Sequence, residues 1–137
     1  MKSQRLVLVV EDNEANQMLV RAVLELEGYR VEIAGSAPEV RDMLRDAVPD
    51  LVLMDVQLPS LDGLSLTREL KAEASTAHIP IVALTAHAMT GDRELALNAG
   101  CMGYIAKPID TRTFGDQVRA YLEEAADDGG RLDKEVS

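Results

Sequence analysis

The sequence predicts a doubly wound α/β domain, in which helices cover both faces of a five-stranded parallel sheet. Five short apolar runs of strand length alternate with segments whose apolar residues recur with helical spacing. The apolar runs are continuous rather than alternating, which is typical of strands that are buried on both faces. Because such strand–helix–strand connections are right-handed, the pattern predicts crossovers that place helices on each side of the sheet.

The length suits one domain with a short segment after it. A chain of 137 residues is the size of a domain that buries about two thirds of its unfolded surface. Hydrophobic residues at 47% and charged residues at 28% are ordinary globular values. Because helical periodicity is lost near Asp127, we expect a domain over 1–126 and a flexible tail over 127–137. The single cysteine, Cys101, excludes an internal disulfide and is expected to pack as a small hydrophobic residue.

The charge of the chain argues against two classes of partner. Its 14 basic and 24 acidic residues give a formal net charge of −10, which repels nucleic-acid phosphates and anionic lipid. No segment approaches the roughly 18 apolar residues of a membrane span, and the first apolar stretch is too short for a signal peptide. We therefore expect a cytoplasmic protein that binds neither nucleic acid nor membrane.

The first two strands frame an amphipathic helix. Residues 6–10 are apolar and rich in β-branched side chains, as in a strand buried on both faces. Asn13 is a cap-type residue before a stretch with apolar residues at helical spacing, and Gly28 closes that stretch. A short second strand is expected over 30–34.

The middle of the chain repeats this alternation. Residues 36–39, Ser-Ala-Pro-Glu, have the pattern of a capping box with proline in the first turn, which predicts a second helix. Pro49 stops that helix, and the apolar run 51–54 predicts the third strand. A third helix is expected from Gly63 to about Ala74, a stretch that carries Leu64, Leu66 and Leu70.

Two further strand–helix pairs complete the pattern. A fourth strand is expected over 79–84 and a fifth over 103–106. Thr90 is the cap-type residue before the fourth helix, which Gly100 ends. Asp110 is expected to cap the last helix, whose apolar residues face inward.

Four of the five predicted strands are followed by residues with ligating or reactive side chains. In open parallel sheets, ligands bind beyond the carboxyl ends of the strands, where the strand order reverses. Each residue alone would be read as a turn residue or a helix cap, but their shared position at strand ends favours a site. In chain order these residues are Glu11, Asp12, Asp55, Thr85 and Lys107.

The chemistry of this set points to a divalent cation and a phosphoryl group. Three carboxylates at one edge repel each other unless a cation lies among them or some are protonated. Oxygen ligands without histidine or cysteine favour Mg²⁺ or Mn²⁺ over zinc. The ammonium of Lys107 and the hydroxyl of Thr85 suit the oxygens of a phosphoryl group. One carboxylate could then act as the nucleophile and become an acyl phosphate.

The same residues stand in segments that resemble the response-regulator receiver domain of two-component signalling, over about residues 5 to 125. The resemblance is to stand-alone, cell-division-type regulators and to the receivers of hybrid kinases. It implies the flavodoxin-like strand order 2-1-3-4-5. The matching segments are Val9 to Asn13, Leu53 to Pro59, Leu61 to Gly63, Ala83 to Ala86, and Gly103 to Pro108.

The resemblance implies a phosphoacceptor and a metal site. Asp55 is implied as the phosphoacceptor, with Mg²⁺ held by Glu11, Asp12 and Asp55, and Mn²⁺ as a possible substitute. Gln57 is implied to lend its backbone carbonyl to the metal. The phosphoryl donor would be a sensor histidine kinase or a histidine phosphotransfer protein. The domain would catalyse its own phosphorylation and dephosphorylation rather than turn over an external substrate.

The resemblance also implies a switch. Thr85 and Lys107 are implied to contact the phosphoryl group, and Tyr104 matches an aromatic side chain that turns inward when Thr85 moves. A cis peptide bond is implied between Lys107 and Pro108. The expected output is protein binding on the face formed by the fourth helix, the fifth strand and the last helix.

Three alternatives remain open at the level of the sequence. The chain could be a phosphoryl-carrier receiver from a larger hybrid histidine kinase. A haloacid-dehalogenase-like phosphatase would carry a second aspartate two residues after its nucleophile, but Gln57 stands at that distance from Asp55. A flavodoxin-like cofactor binder would need a phosphate-binding loop after the first strand, where Glu11 and Asp12 would repel a phosphate.

Overall fold

The structure is a computed structural model that describes residues 4–57, 63–86 and 91–136. Its five strands form one parallel sheet in the order β2-β1-β3-β4-β5, which confirms the predicted doubly wound architecture. No helix among these residues is both long enough and apolar enough to cross a bilayer. The elements in chain order are β1 (Leu6–Val10), α1 (Glu14–Leu26), β2 (Arg30–Ala34), α2 (Ala37–Asp46), β3 (Leu51–Asp55), α3 (Gly63–Ala72), β4 (Ile81–Thr85), α4 (Asp92–Ala99), β5 (Gly103–Ala106) and α5 (Phe114–Val136).

The register of the sheet brings the carboxyl ends of the strands to one edge. Met54 on β3 pairs with Val10 on β1 and with Ala83 on β4, and Thr85 pairs with Ala106 on β5. The order reverses between β1 and β3, because β2 lies on the outer side of β1. The residues that follow β1 and end β3 therefore lie at the switch point where such sheets bind ligands.

Two apolar layers hold the helices on the sheet. Leu8 and Val10 on β1 belong to the layer that α2, α3 and α4 cover, whereas Val7 and Val9 belong to the layer under α1 and α5. Neighbouring residues of a strand point to opposite faces, so a strand with helices on both sides must be apolar at every position. This is why the continuous apolar runs predict the strands well.

The predicted cap of the first helix is confirmed, and that of the second helix is not. The carboxamide oxygen of Asn13 accepts a hydrogen bond from the backbone N–H of Asn16 at 2.9 Å, as expected of a helix cap. The hydroxyl of Ser36 instead donates to the Glu39 carboxylate at 3.1 Å, and its side chain makes no capping bond to the backbone. The predicted capping box is therefore wrong in its bonding, although α2 begins at Ala37 as expected.

The fourth strand and helix differ at their starts. β4 begins at Ile81, two residues later than predicted, because Pro80 has no N–H to donate to the ladder. Its carbonyl still accepts from the N–H of Val52 at 2.9 Å. Gly91 precedes α4 and Gly100 follows it, both with positive φ. The predicted cap residue Thr90 lies outside the described residues.

The last helix differs from the prediction at both ends. The Asp110 carboxylate accepts the N–H of Arg112 at 3.0 Å, and its carbonyl accepts that of Phe114 at 2.9 Å, so α5 begins one turn after Asp110. The helix then continues to Val136, past residue 126, where the helical periodicity is lost, and the flexible tail over 127–137 stays a prediction. Extending a formed helix adds one hydrogen bond per residue, and this offsets the weak periodicity there. The domain boundary itself stays a prediction.

The start of α3 packs directly against the end of β3. A methyl group on Gly63 would overlap the carbonyl oxygen of Asp55 and press on the Met54 side chain. The N–H of Gly63 also donates to the carbonyl of Val56 at 2.9 Å, so the helix start cannot easily move away. Glycine at this position therefore lets α3 approach the strand end that carries Asp55.

Gly63→Ala should lower the free energy of unfolding by about 3 kcal/mol, at the upper end of the range for overpacking, because the clash is with backbone. Gly35→Ala is the matched control, since a methyl group there meets atoms only at 3.5 Å or more. The control should change stability by less than about 1 kcal/mol. Urea unfolding measures both; equal midpoints for the two variants would contradict this packing.

Candidate functional site

Three carboxylates meet at the switch point of the sheet. One oxygen from each of Glu11, Asp12 and Asp55 lies within 4.8 Å of the other two. Glu11 and Asp55 are only 1% and 4% exposed, whereas Asp12 is exposed to solvent. Burial of an ionised carboxylate is costly unless it is paired and hydrogen-bonded. This acidic cluster therefore needs positive charge beside it.

Lys107, just after β5, supplies part of that charge. Its Nζ lies 3.0 Å from Oε1 of Glu11 and 3.0 Å from Oδ2 of Asp55. Burial alone would lower the pKa of Lys107, but the two carboxylates raise it overall, so the side chain is an ammonium at neutral pH. Three carboxylates and one ammonium leave a formal charge of −2 (−3 + 1) when all are ionised.

The pKa of Glu11 is raised, as expected of a carboxyl group with too little positive charge around it. Burial raises it above its ordinary value, and the neighbouring Asp55 carboxyl raises it further. Lys107 and the N–H of Asn13 act in the opposite direction without cancelling the increase. Because the folded chain holds this proton more tightly, Glu11 favours folding at low pH, and that contribution is lost as pH rises through its raised pKa. Glu11 by itself therefore contributes less stability at neutral pH than at low pH.

Backbone N–H groups fix two of the carboxylates. The N–H of Gln57 donates to Oδ1 of Asp55 at 3.0 Å, which leaves Oδ2 beside Lys107. The N–H of Asn13 donates to Oε2 of Glu11 at 3.2 Å. Oε1 of Glu11, on the other hand, makes only the ion-pair contact with Lys107 and has no hydrogen bond within the described residues.

The donor set fits Mg²⁺. The cluster offers hard carboxylate oxygens without nitrogen or sulfur ligands, its negative charge exceeds the single positive charge of Lys107, and one of its buried oxygens lacks a hydrogen bond. Mg²⁺ binds through a few carboxylates and keeps several waters, which suits a cluster with one exposed member, Asp12. The residues that would hold it are Glu11, Asp12 and Asp55.

Thr85 and Gln57 lie beside Asp55. Together with Lys107 they line a small depression at the edge of the sheet. Thr85 is 2% exposed, and its carbonyl accepts the N–H of Lys107 at 2.8 Å, which ties the end of β5 to the end of β4. The peptide bond between Lys107 and Pro108 is cis, as the resemblance implies. The structure thus places all the predicted ligating and reactive side chains at one edge.

Tyr104 lies apart from the acidic cluster, on β5. The hydroxyl of Tyr121 accepts the N–H of Tyr104 at 3.2 Å and donates to its carbonyl at 3.0 Å. Gly103 permits this approach, because a side chain there would overlap the Tyr121 ring. The guanidinium of Arg93 on α4 lies 5.6 Å from the centre of the Tyr104 ring. Tyr104 is therefore bordered by α4 and α5.

Sequence reasoning missed Arg93, Tyr121 and Gln17 as partners of the site. Nε2 of Gln17 on α1 donates to the backbone carbonyl of Glu11 at 2.5 Å. The available signal for Gln17 is its position one turn after the cap residue Asn13, which places it on the first turn above the acidic residues. The two contacts around Tyr104 have no comparable signal, because they join separate elements.

Comparisons with known proteins agree with this geometry. Residues 7–119 match the family model of the response regulator receiver domain. The chain is 44% identical over 119 residues to the polar-differentiation response regulator DivK of Brucella ovis, a match that covers 87% of this chain and 97% of DivK.

Solved structures give the same result. The receiver domain of the sensor histidine kinase PA1611 from Pseudomonas aeruginosa, with a magnesium ion coordinated in its active-site cleft, is 37% identical, with a TM-score of 0.79. That alignment covers 88% of this chain and 99% of the PA1611 domain. A CheY-like receiver domain protein from Methanospirillum hungatei is 28% identical, with a TM-score of 0.81, over 92% of this chain and 99% of that one.

Asp12→Asn should reduce the stabilisation of the protein by Mg²⁺ without destabilising the metal-free fold. At a concentration of 100 times the dissociation constant, a ligand stabilises by about 2.7 kcal/mol, and a variant with tenfold weaker binding gains about 1.4 kcal/mol. The metal-free variant should be as stable as the unmodified chain or more so, because one of three crowded charges is removed. Thermal unfolding with and without Mg²⁺ measures both effects.

Glu14→Gln is the matched control, because Glu14 is an exposed acid in the first turn of α1 outside the cluster. It should keep the full Mg²⁺-dependent increase in melting temperature. An equal loss in both variants would mean that Mg²⁺ responds to overall charge and not to this cluster.

Proposed function

The chain belongs to the response regulator receiver domain family, and from that premise we propose that it is a phosphoacceptor switch in a two-component or phosphorelay pathway. Receiver domains are signalling modules rather than turnover enzymes on external substrates. Asp55 would take a phosphoryl group from a sensor histidine kinase or a histidine phosphotransfer protein. The supporting observation is the buried Asp55 carboxylate, held between Gln57 and Lys107 beside two further acids.

The transfer would proceed by attack of an Asp55 oxygen on phosphorus. The new O–P bond forms while the P–N bond to the donor histidine breaks, and the imidazole leaves with that electron pair and takes up a proton. Mg²⁺ bound at the cluster would neutralise charge between the phosphoryl oxygens and the carboxylates. Water would later attack phosphorus and break the O–P bond, which releases inorganic phosphate and returns Asp55 to a carboxylate.

Each neighbouring residue has a role in this proposal. Glu11 and Asp12, with Asp55 and the backbone carbonyl of Gln57, would hold the cation. Lys107 already contacts Oδ2 of Asp55 and would move to an oxygen of the phosphoryl group, which carries more negative charge than the carboxylate. The hydroxyl of Thr85, in the same depression, would donate to a second phosphoryl oxygen.

The register of β4 and β5 supports a link from Thr85 to Tyr104. Thr85 pairs with Ala106 and Ala83 pairs with Tyr104, so Thr85 and Tyr104 point to the same face of the sheet as diagonal neighbours. Movement of Thr85 toward the phosphoryl group would open space into which the Tyr104 ring turns. The surface that changes would be the face of α4, β5 and α5, where a downstream protein would dock. The cytoplasmic location stays a prediction.

A carrier role is the second candidate. The similarity to the receiver of a sensor histidine kinase favours it, since such a domain could pass on the phosphoryl group without changing a distant face. The two candidates share Asp55 chemistry and differ only in whether Tyr104 and its neighbours respond.

Incubation with acetyl phosphate and Mg²⁺ should add one phosphoryl group to the protein, and Asp55→Asn should abolish it, because an amide is not a nucleophile at this step. Intact-protein mass spectrometry measures the adduct. Asp50→Asn is the matched control: Asp50 also flanks β3, but its carboxylate accepts the N–H of Leu6 at the opposite end of the sheet. Phosphorylation of the Asp55 variant would refute the assignment.

Beryllofluoride, a phosphoryl mimic, should shift NMR signals of Tyr104, Arg93 and the adjoining parts of α4 and α5. Two charge-assisted hydrogen bonds of about 1.5–3 kcal/mol each suffice to reverse a two-state equilibrium that differs by a few kcal/mol. Thr85→Ala should still bind the mimic but lose the distant shifts, and Thr85→Ser, which keeps the hydroxyl, should restore them. Shifts confined to the loops around Asp55 in the unmodified protein would favour the carrier role instead.

A further inference from the structure

We propose that Gln17 is a positioning residue for the acidic cluster: its carboxamide fixes the main chain of Glu11 and thereby the carboxylates that hold Mg²⁺. The inference rests on the proposed function, because it assigns a role toward the same cation. Gln17 is half-buried on α1 and is not itself a member of the cluster.

Both backbone polar groups of Glu11 are engaged, by different elements. Its N–H donates to the carbonyl of Ala34 at 3.0 Å, which continues the pairing of β1 with β2 by one residue. Its carbonyl accepts from Nε2 of Gln17 at 2.5 Å. Only the NH₂ group of a carboxamide can donate to a carbonyl, so this contact fixes the orientation of the Gln17 side chain.

The start of α1 makes Gln17 a rigid point of attachment. The backbone N–H of Gln17 donates to the carbonyl of Asn13 at 2.9 Å, within the first turn of the helix. Asn13 also caps that turn through its carboxamide oxygen and holds the Glu11 carboxylate through its N–H. The turn over residues 11–13 is therefore bound to α1 through Gln17 and the Asn13 cap, and the Glu11 carboxylate is held within the turn by Asn13.

Gly35 lies beside this contact, and an added methyl group there would not displace it. A methyl group at Gly35 would lie 3.9 Å from both Nε2 of Gln17 and the carbonyl oxygen of Glu11, and 3.5 Å from Oε1 of Glu39. Gln17 is half-buried, so water can reach this carbonyl and replace a lost donor. Loss of the Gln17 amide should therefore disturb the geometry of the cluster more than the stability of the fold.

Mg²⁺ is sensitive to such a disturbance. It demands nearly ideal octahedral ligand geometry, so a small displacement of Glu11 and Asp12 weakens binding. Groups that orient metal ligands without touching the metal typically change affinity by 10–100-fold when removed. Gln17 is neutral, so an effect of Gln17→Met on affinity would arise from positioning and not from a change in charge.

The test compares Gln17→Met with Gln4→Met by calorimetric titration of the metal-free proteins with Mg²⁺. Gln4 is a matched control, because its Nε2 also donates to a backbone carbonyl, that of Gly28 at 3.0 Å. This contact lies before the amino ends of β1 and β2, at the opposite end of these strands from the cluster. Gln17→Met should raise the dissociation constant about tenfold, and Gln4→Met should leave it unchanged. At saturating Mg²⁺, the rate of phosphorylation by acetyl phosphate should be within about twofold of the unmodified rate in both variants.

The outcomes separate the inference from the function on which it rests. An unchanged dissociation constant in Gln17→Met, or a phosphorylation rate that falls equally at all Mg²⁺ concentrations, would overturn the positioning role. If Gln17→Met does not fold, Gln17→Ala takes its place, because alanine favours the helix and also removes the amide. If the unmodified chain neither binds Mg²⁺ nor gains a phosphoryl group, the proposed function fails instead.

Discussion

The concentration of like charge at one edge of the sheet is the constraint on which the rest of the site depends. Glu11 and Asp55 are buried within reach of each other and of Asp12, and Lys107 is the cation that contacts both buried acids. Removal of carboxylates from water costs several kcal/mol per ion unless pairing and hydrogen bonds offset it. One ammonium and two backbone N–H groups offset it only in part, as the raised pKa of Glu11 shows. The apolar layers on both faces of the sheet must therefore offset the part of this cost that pairing and hydrogen bonds do not.

The topology explains why these side chains meet although they are far apart in the sequence. Parallel strands present their carboxyl ends at one edge, and the order reverses between β1 and β3, so Glu11 and Asp55 become neighbours. Contacts just beyond the sheet then set the details: Gly63 lets α3 approach Asp55, and Lys107 is tied to β4 through the carbonyl of Thr85. The position of each reactive group is thus fixed mainly by backbone pairing, which depends little on the identity of surface residues.

Continuous apolar runs and strand-end chemistry made the sheet, its helices and the acidic cluster predictable from the sequence. The late start of β4 follows from Pro80, whose missing N–H matters only once the pairing is known. The Ser36 hydroxyl donates to the Glu39 carboxylate, although in a capping box both side chains would bond to backbone N–H groups. The local sequence pattern does not decide between these partners. Tyr121 is 17 positions from the residue whose backbone it holds, so no periodic signal marks the contact. What the sequence could not predict are side-chain contacts between elements, since these depend on the packed geometry.

The contacts around Tyr104 determine which part of this residue can respond to a change at the acidic cluster. Because Tyr121 bonds both the N–H and the carbonyl of Tyr104, the main chain of β5 is held, and rotation of the Tyr104 side chain is the cheaper response. Arg93 over the ring favours the observed rotamer by about 0.5–1 kcal/mol, the range for exposed cation–π pairs. Under the proposed function, the hydrogen bonds from Thr85 and Lys107 to a phosphoryl group contribute more free energy than this cation–π contact. The Arg93 contact is outweighed only while the phosphoryl group is present. The equilibrium of the Tyr104 side chain therefore reverses when the acyl phosphate is hydrolysed.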